Sequence, residues 1–586
     1  MIRKALVVAV GGVLFSLSAH AAVVSTKYPK PKMKPAPSLE EVRRSLTPTD
    51  EIVENAEDAA PDRKPAEAKA KRTGSEAMMS QAMRNFRTRL LSARDGDTVA
   101  ALLLEFSSCP QNEKGTTADI CNDTAFRRLP ADLQYVVARL QPLIPFRGFL
   151  WRMAPLAHKA VISQTMMISL VRSFAETLMI YEHDTHWKAY MAFLAMPHQT
   201  VLARGEGGRK NRAFETDNDV IEFLRDEVYP VILNSIRRLD RLEEAVGARR
   251  NPLVFDNQLR FGQKAFSQRF EDVDRFALIG KAEIYASMAR FYRRLSVIAQ
   301  LSAYNWAGNQ DLRKDLGKKM GWDEIIAAHR ADPLSVEGLT RKERVDKARW
   351  YAQNHGTFSL RDAKWMKEHA YDNFKQWARY SALAWNEIRD EIDNRPEYDF
   401  LLDPELFAGR KKQIQLAMDN LKAIAESTAD KPAKLQGAVS GETIWVNFKG
   451  LFDNPPANLT DLMPIDYAKH SDDLPMDELK ELYRRQNRAL VVNENKSVIY
   501  VTPLGKEREA GKQGNPEFFE WRNYLWGRAI KWNKDQYAKI FVPDPSDPGK
   551  FRGAVWTPQD VDDRLRVLAE TRGGRVVLNT LAVFVK

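Results

Sequence analysis

The sequence predicts a mainly α fold, a large irregular multi-helix domain followed by a smaller α+β C-terminal domain. Three observations carry this expectation. Between about Glu76 and Thr428 apolar residues recur at helical spacing, with cap signals where the runs begin and end. After Ser440 the period shortens to two in several short stretches rich in β-branched and aromatic residues. Before Glu76 large apolar residues are scarce, so burial cannot offset the entropy of ordering.

The chain opens on Arg3 and Lys4, then an apolar run from Ala5 to Ser18, then Ala19-His20-Ala21. Charge, apolar core and small residues in that order predict a secretory signal over residues 1–21, cut after Ala21. The apolar run is shorter than the roughly twenty residues a membrane-spanning helix needs. Export places the protein in the periplasm or cell envelope of a bacterium, with the extracellular medium as the second expectation. Residues 22–75 are rich in Pro, Lys and Ala (Tyr28 to Ser38 reads YPKPKMKPAPS), a low-complexity linker that would hold a folded body away from an anchor point.

From residue 76 to 428 the pattern predicts an all-α domain. Thr216 with Asp219 opens a run to Gly247. Thr340 opens one that stops at His355-Gly356, and Ser359 with Asp362 opens one to about Asn394, ahead of Pro396. Pro404 opens another towards Glu426. No fixed period recurs, so a regular helical repeat is disfavoured. Residues 429–440 predict a linker and 441–586 the α+β domain. Strands are expected at Thr443 to Phe448, as a hairpin of Ala489 to Val492 with Ser497 to Thr502, at Lys539 to Val542 and at Arg575 to Val585. Helices are expected after Asn515-Pro516 and at Thr557 to Asp560.

Four features could carry chemistry. Taken as one helix, Ala154 to Tyr190 is apolar around most of its circumference, with His158, Thr165, Ser169, Arg172, Glu176, His183 and His186 along one face. His183 and His186 are one turn apart and, with Glu176 or Glu182, could bind a transition metal or supply an acid and a base. A satisfied polar stripe is the plainer interpretation, and no cofactor is otherwise predicted. The loop Ala203 to Arg212 sets Arg204, Arg209, Lys210 and Arg212 among three glycines, a candidate contact for an anion or a partner, without the ending of a P-loop. Cys109 and Cys121, twelve apart, predict one local disulfide in an exported chain. Aromatic and basic residues interleave in Lys364 to Ile388 and in Phe518 to Trp532, most at core spacing.

The net charge is +11, and acidic and basic residues alternate nearly everywhere. This predicts a mild preference for anionic surroundings and excludes nucleic acid as the first choice of partner. Ala154 to Tyr181, the most apolar stretch after the leader, is interrupted by Arg172 and Glu176, so no transmembrane helix is expected after signal cleavage, and peripheral membrane contact stays open. Asn122, Asn458 and Asn495 stand in Asn-x-Ser/Thr sequons. No GxSxG, HExxH, CxxC or P-loop motif occurs. The leading expectation is an exported, envelope-associated structural or interaction protein without catalytic activity, its target another envelope protein or an anionic surface polymer. The alternatives are a metal-dependent enzyme around His183 and His186, and a glycan- or peptidoglycan-binding protein acting through the C-terminal domain.

Overall fold

A computed structural model describes residues 75–107, 123–159, 189, 192–195, 213–249, 253–256, 259, 276–312, 315, 345–394, 411–438, 441–463, 466–467, 489–492, 498–501, 507–509, 530–531, 534–542, 561, 564–565, 567–568 and 571. Helix takes 73% of them, with a few small sheets between, so the protein is helix-rich as its periodicity predicts.

Five helices form the N-terminal part: α1 (Gln81–Ser92), α2 (Gly96–Ser107), α3 (Asp123–Arg127), α4 (Ala131–Leu140) and α5 (Phe149–Lys159). Ser80 starts α1, its hydroxyl accepting from the Met83 N–H. The Ser80 N–H and hydroxyl both donate to the Asp132 carboxylate at 2.8 Å, which pins the start of α1 to the start of α4. The capping box predicted at Thr216 forms, with Asp219 accepting from the Thr216 N–H and donating its own N–H to the hydroxyl. It opens α6 (Asp217–Phe223), a π turn (Leu224–Val228) and α7 (Tyr229–Arg249), which runs two residues past Gly247.

A pair of strands follows where helices alone are expected. β1 (Leu253–Asp256) and β2 (Phe276–Ile279) pair antiparallel. Each is four residues long with three buried, too short and too apolar to be one face of a helix. Next comes α8 (Lys281–Ser302), whose Glu283 accepts from the Gly280 N–H at 2.7 Å. Sixteen of its 22 residues are buried, because α7 and the later helices pack around it.

Helical residues 345–355, α9, end on Gly356 at φ +63°, the left-handed cap that glycine accommodates. The next helix starts three residues later than predicted. Asp362, not Ser359, is its cap, accepting from the Trp365 N–H at 2.9 Å. The Ser359 hydroxyl is spent on the Gly356 carbonyl, and its backbone pairs with Asn458. From Asp362 run α10 (Ala363–Trp365), a second π turn (Met366–Ala370) and α11 (Tyr371–Asn394), then α12 (Lys411–Glu426).

β3 (Ala433–Gln436) lies inside the stretch expected to be a linker. Ala433 and Leu435 are buried and Lys434 and Gln436 exposed, a two-residue alternation hidden among Lys and Pro. It pairs with β4 (Thr443–Val446), and β4 pairs with β10 (Phe541–Val542). The strand expected to run on to Phe448 stops at Val446. Asn447 turns the chain into α13 (Phe448–Asp453), its side chain accepting from the Gly450 N–H at 2.8 Å. A Cβ on Gly450 would sit 2.7 Å from the Asn447 amide nitrogen, so that cap requires glycine. Further on, β5 (Asp466–Tyr467) pairs with β9 (Ile530–Lys531), and the predicted hairpin forms as β6 (Ala489–Val492) and β7 (Val498–Val501), with β8 (Glu507–Glu509) added. A short helix, α14 (Lys534–Tyr537), precedes β10. The stretches after Asn515-Pro516 and from Arg575 to Val585 lie outside the described residues.

One contiguous cluster of buried apolar side chains runs from Met79 to Leu568. Phe374 of α11 is central to the part that receives α13: its ring centroid is 5.0 Å from Phe448, 5.7 Å from Phe452 and 5.4 Å from Trp377. Among the described residues no helix is long and apolar enough to cross a membrane.

Candidate functional site

Loops that connect the helices meet in a knot of hydrogen bonds around Asn305 and Phe358. The Asn305 N–H donates to the Ser359 carbonyl at 2.8 Å, and the Phe358 N–H donates to the Asn305 carbonyl at 2.6 Å. The Asn305 side chain donates to the Gly356 carbonyl and accepts from Asn218 and from the Ala307 N–H. Asn218 in turn accepts from the Trp306 N–H at 2.8 Å, so the start of α6 is tied into the same knot. A third segment joins from residues 456–463: Leu360 N–H donates to Ala457, and Leu459 N–H donates to the Phe358 carbonyl at 3.0 Å.

Phe358 sits at φ +65°, the one non-glycine residue with positive φ among those described. For a bulky side chain this is a strained conformation. Hydrogen bonds on both its N–H and its carbonyl hold it there, and its ring packs edge-on against Trp306 at 5.5 Å. Replacing Phe358 therefore has an unusual expected outcome. Phe358→Ala loses the ring and keeps the strain, whereas Phe358→Gly loses the ring and the strain together. The glycine variant should be the more stable of the two by about 1 kcal/mol, the reverse of the ordinary order. Denaturant midpoints of the two variants check this.

The knot supports a cleft of about 400 Å³, open to solvent, between α9 and the turn at Leu459–Leu462. Arg349, Ala352 and Gln353 line it from the helix, and Asn458, Thr460, Asp461 and Met463 from the turn. The turn is itself a capping box. Asn458 Oδ1 accepts from the Thr460 N–H and hydroxyl, and Asp461 accepts from the Asn458 N–H at 3.1 Å. The Asn458 amide donates to the Thr357 carbonyl at 3.0 Å, so this sequon asparagine is engaged on every side by its own fold. Arg349 reaches the Met463 carbonyl at 3.4 Å, bridging the cleft's two walls. Beside it Trp350 is 47% exposed, one of two large apolar side chains so exposed among the described residues, with the Lys347 ammonium 5.7 Å from its ring.

Arg225 of the first π turn and His369 of the second both contact an aromatic cluster of Trp365 and Tyr229. The Arg225 guanidinium lies 4.1 Å over Trp365 and donates to Asp362 at 3.1 Å. Trp365 contacts His369 at 4.0 Å and Tyr229 at 5.4 Å, and Asn373 donates to the Tyr229 hydroxyl at 2.8 Å. Burial and the neighbouring Arg225 lower the pKa of His369 against the opposing pull of Glu368, Asp362 and Asp372. A lowered folded value means the unfolded chain takes up the proton more readily. The contribution of neutral His369 is therefore complete above about pH 6.5 and is lost as pH falls towards its folded value. His369→Gln should flatten the fall in melting temperature between about pH 7 and pH 5 relative to the unsubstituted protein. Parallel melts across that range test it.

Positive charge is also drawn into the core. Arg139 and Arg294 are buried, Arg139 donating to Ser287 at 2.6 Å and to the Tyr135 hydroxyl. Burial, reinforced by Arg139, Arg290 and Arg293, lowers Arg294 to about 9. Part of the basic excess is thus internal and unavailable to an anionic polymer.

The residues singled out from sequence lie elsewhere. Glu176, Glu182, His183 and His186, the loop residues Arg204, Arg209, Lys210 and Arg212, the cysteines Cys109 and Cys121, and the leader to Ala21 are all outside the described residues. So is the aromatic stretch Phe518 to Trp532, apart from Ile530 and Lys531, which form β9 rather than the end of the helix expected there. His158 falls at the end of α5. Of the other aromatic helix, Tyr371, Phe374, Trp377 and Trp385 are core, as their spacing predicts. Among the described residues no group of three or more His, Cys, Asp or Glu side chains is placed to hold a metal. The cleft residues carry little advance signal, since Asn458 to Asp461 is legible as a capping box but Arg349 and Gln353 are ordinary helix surface. Compared with models of known protein families, with curated proteins and with solved structures, the chain matches none.

Proposed function

We propose that this chain is an exported, envelope-associated interaction protein without catalytic activity, and that it engages the envelope through the face built on the Asn305–Phe358 knot. The observation that carries the proposal is the combination of backbone strain at Phe358 with an open polar cleft on the segments it locks together. Strain of this kind persists only where the surroundings over-determine it, and it concentrates at binding sites. A wall made of locked backbone loses little freedom when a ligand docks. In the same proposal, the helical body through about residue 428 and the turn at Leu459–Leu462 together present this face. Residues 441–586 then form a smaller α+β unit that joins the body through α13. The leader delivers the chain across the inner membrane, and the Pro/Lys-rich stretch spaces the body from its anchor point. In-cell crosslinking followed by affinity capture and mass identification tests this. A fixed, stoichiometric envelope component is the expected result; recovery of cytosolic chains alone would contradict it.

A further inference from the structure

We infer that Arg225, Tyr229, Asp362, Trp365 and His369 form a pH-sensitive latch that joins the two π turns, opens as His369 takes up a proton and loosens the knot beside it. The inference goes beyond the envelope reading and does not depend on it. Two features of the closed cluster motivate it. The Trp365 indole N–H is buried without an acceptor, so closure leaves unmade a hydrogen bond that water would supply on opening. The His369 imidazole makes no hydrogen bond among the described residues, although the His369 carbonyl accepts from the Asn373 amide at 2.6 Å. Its side chain is therefore held by ring packing, 4.0 Å from Trp365 and 5.8 Å from Tyr229 between centroids.

The charges around His369 decide what a proton does there. Arg225 lies 4.1 Å over the indole ring that His369 also touches, so a protonated His369 crowds a second cation onto one aromatic partner. Arg225 itself donates to Asp362 and has Asp226 4.0 Å away. Burial resists the proton most and Arg225 adds to it, outweighing the pull of Glu368, Asp362 and Asp372. Tyr229 and, from α8, Tyr292 stay neutral, since burial raises both. α8 also gives the neutral Ser296 hydroxyl, which donates to the Ala370 carbonyl at 2.9 Å. From α13, Lys449 lies over the Tyr371 ring and is paired with Asp453 at 2.9 Å. Closure thus favours the neutral imidazole, while an opened His369 takes up its proton near the ordinary value of about 6.5. Opening therefore rises as pH falls below that value and levels off below the lower value of the closed cluster.

The latch is tied to the knot from both sides. The Asp362 carboxylate caps α10, and the N–H groups of Arg361 and Asp362 both donate to the Ala303 carbonyl, just before Asn305. On the other side, Asn218 at the start of α6 bonds Asn305 and the Trp306 N–H. The ion pairs across the junction, Arg225–Asp362 at 3.1 Å and Arg361–Glu222 at 3.5 Å, are half-exposed and contribute little by themselves. Ring contacts carry more of the junction, so displacing the His369 ring is felt at Asp362 and at the knot.

The test is amide hydrogen exchange of the purified full-length protein, read by mass spectrometry at about pH 7 and about pH 5 and corrected for the intrinsic pH dependence of exchange. Protection of residues 224–230 and 356–371 should fall about threefold or more on acidification, while the middle of α8 stays protected. His369→Phe keeps a ring against Trp365 and cannot take up a proton, so its protection should be equal at the two pH values. His369→Arg carries the charge throughout and should be open already at about pH 7. The side chain they replace is half-buried and makes no hydrogen bond, so both variants should keep the helical circular dichroism of the unsubstituted chain. Equal protection of the unsubstituted chain at both pH values, or an equal loss throughout α8, would overturn the inference. So would a His369→Phe variant that still loses protection in acid, or a His369→Arg variant as protected as the unsubstituted chain at about pH 7.

Discussion

Phe374→Ala should lower the stability of the protein by about 3–5 kcal/mol. The side chain is fully buried, and its ring touches three other aromatic rings, two of them from α13. Removing it opens a cavity that rigid rings cannot collapse to fill. Aromatic contacts worth about 0.5–1.5 kcal/mol beyond burial are lost as well. Tyr371, one turn away, also depends on this junction, since its hydroxyl donates to the Ser427 carbonyl at 2.7 Å and its ring meets Phe452 at 5.8 Å. Thermal melts and proteolysis of residues 441–463 provide the readout: the variant should melt earlier and be cut faster there. Phe374→Leu, which fills most of the volume, should cost less than half as much.

The second large effect is expected at Arg238. Its side chain has no solvent exposure and lies 4.0 Å over the Phe126 ring. It donates to Asp123 at 3.2 Å, to the Ser107 carbonyl at 2.7 Å and to Gln141 at 2.9 Å, tying α7 to the ends of α2 and α3 and to the end of α4. Arg238→Met should destabilise by about 3 kcal/mol, because buried acceptors lose a charged donor. Arg241 supplies the control. It donates to the same carboxylate at 2.7 Å but is 44% exposed, so Arg241→Met should cost less than about 1 kcal/mol. Burial would raise the Asp123 pKa, yet hydrogen bonds from Arg241 and Arg238 outweigh it and hold the pKa below the usual carboxylate range. That contribution is present above the unfolded value and is lost as pH falls through the folded one, so Arg238→Met should also blunt the acid-side loss of stability. Equal effects at Arg238 and Arg241 would mean that burial does not govern this pair.

Local signals were legible where a short segment decides its own structure. The Thr216–Asp219 box, the end of α9 at Gly356 and the β6–β7 hairpin follow from side chains within a few positions of one another. The helical periodicity of α11 likewise identifies Phe374 and Trp377 as core. What escaped depends on distant partners. Ser359 reads as a cap until Asn458 pairs with it, after which Asp362 is the free acceptor for the helix start. β3 is four residues of weak alternation that become a strand because β4 folds back on it. The candidate cleft is the extreme case. Its walls are joined by a hydrogen bond spanning 101 residues, from Asn458 to Thr357, and no local pattern records such a meeting. Asn458 itself stood out only as a sequon, while its role in the structure is to brace the turn.

The most direct measurement is sedimentation of the purified full-length protein with isolated cell envelopes, comparing the unsubstituted chain with the Trp350→Ala/Gln353→Ala double variant. Envelope binding through the knot face predicts that the unsubstituted chain pellets with the envelope and that the double variant, folded and melting at the same temperature, stays in the supernatant. An unsubstituted chain that does not pellet, or a double variant that pellets equally well, would contradict it.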